Sequence, residues 1–184
     1  MQWCSVGSGI EHAEGGGSQK GERMEGFQLW LNVPRERKMD DPRYGTIGPD
    51  QLPVLRFGGG VSARLLAGAL GGETGPFKTV APLLMFDASV PAGETFLLAV
   101  PPEFDTAMAY VWRGAARVNG AGASKHQIAL LDARGADARG LEIAAAAGAA
   151  EAASVMVFIG KKLKQPMHVR QRNPTIRTSP THSP

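Results

Sequence analysis

With a single cysteine, Cys4, the chain can form no internal disulfide, and a reducing compartment is implied. No run of about 18 apolar residues exists, so no helical membrane span is expected. The opening Met1-Gln2-Trp3-Cys4 has neither the basic nor the apolar region of a secretory signal, so a secreted product is not expected. A Gly-x-Ser-x-Gly nucleophile elbow is lacking, which removes that class of hydrolase. Gly58-Gly59-Gly60 has the composition of a phosphate loop without its Gly-Lys-Ser/Thr ending, and reads as a turn between strands. Asp40-Asp41 precedes Pro42, where carboxylates organise turns, and no second carboxylate pair suggests glycosidase chemistry.

Acidic residues are missing altogether from 161–184, where Lys161, Lys162, Lys164, Arg170, Arg172 and Arg177 fall. Without those six, 14 of the 20 basic residues remain against 17 acidic ones, so the body is mildly acidic despite the net charge of +3. A nucleic-acid footprint is a basic stripe on a folded face. Here the excess sits in a Pro/Ser/Thr-rich tail that reads as a solvated, disordered end, so direct nucleic-acid binding is not expected.

What is present is strand pattern. Along 25–33, Phe27, Leu29, Leu31 and Val33 alternate with Gln28, Trp30 and Asn32, which predicts a strand with one apolar face. Before it, 7–14 reads as a Gly-rich turn feeding a short strand, and 35–44 as a polar connection with one helical turn. From Leu52 onward short strands are expected at 83–90, 94–100, 108–118, 127–132, 140–147 and 153–159, separated by turn clusters such as Pro91-Ala92-Gly93. The alanine-rich 144–152 reads as the turn between two strands rather than a helix. The chain therefore reads as all-β: a short piece (about 1–52), a fuller barrel (about 53–160) and a basic tail (161–184). A barrel closes with about eight strands, and 1–52 falls well short, leaving an open edge that predicts protease sensitivity before residue 50.

His12 and Glu14 are the sharpest local feature. On a strand, residues two apart point the same way, so imidazole and carboxylate would project together, a pair suited to non-haem iron. The triplet also arises by chance in proteins that bind no metal. Zinc deaminases use His-x-Glu with a later Pro-Cys-x-x-Cys, and the single upstream Cys4 excludes that reading. His126 reads as a surface histidine, and His168 and His182 fall in the tail.

A wider pattern adds to this. Met1-Gln2-Trp3, Val6-Gly7-Ser8-Gly9-Ile10 with His12-Ala13-Glu14, Gly26-Phe27-Gln28-Leu29-Trp30-Leu31-Asn32-Val33, and Lys38-Met39 with Pro42 and Tyr44 follow one another in an order that closely resembles the pirin family. Phe86-Asp87, Pro91-Ala92-Gly93, the Gly114 turn and the run from Val157 to Pro166 resemble its C-terminal barrel. The resemblance implies a bicupin, two β-barrels, with one iron, Fe(II) or Fe(III), per full-length chain in the N-terminal barrel. The metal would be held by a His-x-His pair and a later His-x-Glu pair, the second matched by His12 and Glu14. It further implies Glu14 as catalytic base as well as ligand, and Gln28 as a partner that orients a ligand. The first pair would precede Met1, and an aromatic-His-Gly-Pro-Phe stretch with a closing helix would follow Pro166. Both are lacking, so a fragment truncated at both ends is expected, without catalysis of its own. The function implied for the whole protein is a quercetin 2,3-dioxygenase acting on a flavonol-like molecule. The alternative is a redox-sensitive nuclear co-regulator that docks on a transcription factor, and the third is a metal-free structural bicupin. In each case the resemblance implies a monomer in the cytoplasm or nucleus.

Overall fold

The computed structural model describes residues 1–12, 26–132 and 140–166. They form fourteen strands and three short 3-10 turns. β1 (Gln2–Ser5) and β2 (Arg43–Thr46) pair as an isolated antiparallel ribbon. The rest are β3 (Val54–Arg56), β4 (Ser62–Ala67), β5 (Ala69–Leu70), β6 (Glu73–Thr74), β7 (Leu83–Val90), β8 (Thr95–Ala99), β9 (Thr106–Arg113), β10 (Ala115–Val118), β11 (Ala121–Ser124), β12 (Ile128–Asp132), β13 (Gly140–Ala144) and β14 (Ala153–Gly160). A six-stranded sheet has the order β12-β9-β14-β7-β4-β3, and a four-stranded sheet the order β11-β10-β13-β8. β5 and β6 make a small hairpin.

From β7 onward the chain passes back and forth between the two large sheets, with β10 and β11 consecutive in the smaller one, and the sheets share one core. Period-two patterning explains the packing. Leu84, Phe86, Ala88 and Val90 of β7 point inward and are buried, as do Ala107, Ala109 and Val111 of β9. They meet Phe96, Val118, Leu141 and Ile143 from the opposite sheet. Phe96 sits edge-to-face with Phe86 at 5.6 Å and with Phe57 at 5.2 Å. The crossing from β9 to β10 turns on Gly114, whose φ of +68° suits glycine and whose added Cβ would meet Ala152 O at 2.9 Å.

The outer face of the six-stranded sheet carries a second apolar cluster. Leu66, Met85, Met156 and Phe158 are buried there, joined by Leu52 and Phe77 and flanked by the half-buried Trp3, Leu29, Ile47, Tyr110 and Trp112. The ribbon and residues 26–33 thus lie against the back of the barrel. β14 is central to both clusters and is buried on both faces.

Several expectations change. Residues 26–33 form no strand, despite their alternation. A strand needs partners for its backbone N–H and C=O groups, and among the described residues none runs beside this segment. Its apolar stripe is only partly used: Leu29 is half-buried, whereas Phe27 is 50% exposed and Leu31 49%. Residues 9–12 likewise adopt no strand, while 13 and 14 lie outside the described residues. The connection 35–44 does contain the expected helical turn, at Arg35–Arg37, but its end is already β2. The single strand expected at 108–118 is two strands broken at Gly114. The expected turn within 144–152 and the turn at Gly58–Gly60 are as read from the sequence.

Candidate functional site

His12 follows a tight turn after β1, in which Ser8 N donates to Asp40 O at 2.9 Å. Its ring is exposed and lies 6.5 Å from that of Tyr44, tilted by 42°. Glu14, the expected catalytic base and second ligand, lies outside the described residues. Gln28 is exposed, and its Oε1 accepts the Trp30 Nε1–H at 2.8 Å. Among the described residues, no group of three or more His, Cys, Asp or Glu side chains could hold a metal ion. Of the expected ligand pair, His12 alone falls within the described residues.

The structure brings other residues together. A cleft of about 400 Å³ opens on the outer face of the six-stranded sheet, lined by Gly26, Phe27, Asp87, Tyr110, Trp112, His126 and Met156. Strand parity builds it: Asp87 on β7, Tyr110 and Trp112 on β9 and Met156 on β14 all point away from the main core. Phe27 closes one side, edge-to-face with Tyr110 at 5.5 Å. Trp112 Nε1–H donates to Asp87 Oδ1 at 2.8 Å. Burial pushes the Asp87 carboxyl above the usual carboxylate range, against the opposing pull of that hydrogen bond and of Arg64 and Arg113. Arg64 is Asp87's cross-strand neighbour on β4, and Arg113 stacks its guanidinium 5.3 Å from the Trp112 ring centroid. At the rim, the Tyr110 hydroxyl and His126 Nδ1 are 3.0 Å apart.

His126 is exposed, as expected, but the partner of its ring comes from a neighbouring strand rather than from sequence. Sequence reasoning missed the cleft as a whole. The one available signal was the alternation Met108, Tyr110, Trp112 opposite Ala107, Ala109, Val111, which marks a strand with two non-solvent faces.

Two antiparallel sheets that share one core of inward-facing apolar side chains are the architecture of a cupin-type fold. A quercetin 2,3-dioxygenase structure from Acinetobacter baumannii superposes with a TM-score of 0.67 at 25% identity, over 77% of this chain and 47% of that one. Two pirin-like proteins of Caulobacter vibrioides align with it. One is 39% identical over 120 residues, 64% of this chain and 43% of that protein. The other is 33% identical over 134 residues, 71% of this chain and 46% of that protein. The chain is a member of the pirin family of cupins. It spans about half the length of the curated relatives it matches. No family model matches it. Among the described residues, no helix is long and apolar enough to cross a membrane.

Proposed function

We propose that this chain is part of a pirin-type iron protein related to the quercetin 2,3-dioxygenases, and that the 184 residues alone hold iron weakly and do not turn over quercetin. The observation that carries this reading is the placement of His12-Ala13-Glu14 within the ordered pirin blocks, in a sequence whose four histidines include no His-x-His. His12 and Glu14 would supply imidazole and carboxylate to the metal, a donor set that suits non-haem iron. With half of the implied ligands lacking, affinity falls steeply, because each ligand helps fix the geometry of the rest. Gln28 would orient one of these ligands, in exchange for its present bond from Trp30. A flavonol-like small molecule is the preferred partner over a transcription factor, since the solved relative at 25% identity is a quercetin 2,3-dioxygenase.

The test is iron content after anaerobic Fe(II) loading and desalting, on this chain and on a version extended upstream through a His-x-His. Iron held stoichiometrically by the extended protein only, and lost on His12→Ala, is the expected result. Stoichiometric iron on the 184-residue chain would overturn it.

A further inference from the structure

We infer that the cleft between residues 26–27 and the outer face of the six-stranded sheet is a separate ligand site, for a neutral planar aromatic molecule carrying a hydroxyl group. His12 does not line it, so the inference stands apart from the iron reading. Its walls are Phe27, Tyr110 and Trp112, with Met156 at the base. Its volume of about 400 Å³ lies within the range of small-molecule pockets, about 300–1,000 Å³. Aromatic walls favour a flat ring through offset or edge-to-face contact.

The polar end selects the hydroxyl. Trp112 occupies Asp87 Oδ1, and among the described residues no hydrogen bond reaches Oδ2. No buried side-chain oxygen among them lacks a partner, so Oδ2 is open to the cleft that Asp87 lines. A carboxylate oxygen accepts and does not donate, so it rewards a ligand O–H. An organic cation gains little here: Arg64, opposite Asp87 on β4, already sets a positive charge beside that carboxyl, while Arg113 is paired with Glu151 at 3.9 Å. An anion would face Asp87 itself. A neutral hydroxyl avoids both penalties. The Tyr110 hydroxyl and His126, at the rim, offer a second polar contact at the far end of such a ring.

Equilibrium dialysis of the full chain in EDTA, with 2-naphthol, 2-methoxynaphthalene and naphthalene as probes, tests this without any metal. The unaltered chain should bind 2-naphthol at least about tenfold more tightly than the other two, the effect of one charge-assisted hydrogen bond. In Asp87→Asn, Trp112 still donates to the amide oxygen and an N–H donor faces the cleft. The preference for 2-naphthol over 2-methoxynaphthalene should then vanish, because the new N–H can serve the oxygen of either, while naphthalene binding is unchanged. Equal binding of the three probes, no saturable binding of 2-naphthol, or a preference over 2-methoxynaphthalene that survives Asp87→Asn would each overturn the inference. The comparison of probes on the unaltered chain decides it even if the variant does not fold.

Discussion

Phe27, together with Leu29, holds 26–33 to the back of the barrel, and Phe27→Ala should loosen that segment without unfolding the rest. The ring is 50% exposed, so it realises about half of the 1.5–3 kcal/mol that full burial of such a side chain supplies, about 1 kcal/mol. Its edge-to-face pairing with Tyr110 at 5.5 Å adds about 1 kcal/mol more. A loss of about 2 kcal/mol raises the population of the locally opened segment about thirtyfold. Trypsin reads this directly, since Arg35, Arg37 and Lys38 follow at once and are exposed. When opening is fast relative to cleavage, the cleavage rate tracks the open population. Cleavage at these three sites, followed by mass spectrometry, should accelerate by about that thirtyfold factor, while the urea midpoint of the barrel stays in place. An unchanged cleavage rate would refute the argument, as would a midpoint that falls in step with it, because the segment would then be part of the global unfolding unit.

Gly114→Ala places a Cβ at φ +68° and within 2.9 Å of Ala152 O, so equilibrium unfolding should show a loss of at least about 1–2 kcal/mol from the backbone alone. Asp87 should tie stability to pH. Its carboxyl is raised in the folded state by burial, with Trp112, Arg64 and Arg113 opposing, and Tyr110 and His126 in the same cleft. A raised carboxyl binds its proton more tightly when folded, so its stabilising contribution is full at low pH and is lost as pH rises from the ordinary value of about 3.9 through the folded one. The unfolding free energy of the unaltered chain, measured by urea denaturation, should therefore decline relative to Asp87→Asn across that window. A flat difference would contradict the burial argument.

The barrel was legible because its strands obey one local rule. Leu84, Phe86, Ala88 and Val90 alternate with the less buried Met85, Asp87 and Ser89, and a turn cluster closes the strand at Pro91-Ala92-Gly93. The same rule misled at 26–33, where alternation exists but pairing does not, since hydrogen-bond partners are supplied by distant chain that periodicity does not report. β1 and β2 escaped notice for the opposite reason: four-residue strands of mixed polarity, held mainly by each other and by the Trp3 indole lying across Gly45. At the candidate site, His12 and Glu14 are a sequence feature because the two residues are two positions apart. The aromatic cleft is not, because Phe27, Asp87, Tyr110, His126 and Met156 meet only once five separated stretches are folded together.

β14 bears on how the molecule can be divided. Being covered on both sides, it makes the barrel separable in topology yet not in surface. A cut at residue 53 would leave the hydrogen-bonded ladder of both large sheets whole, but strip cover from Met85, Met156 and Phe158 at a stroke. Such a face, contiguous and apolar, invites self-association. The N-terminal piece thus acts as a cover for that face, through Trp3, Leu29, Ile47 and Leu52, a duty independent of any role of His12.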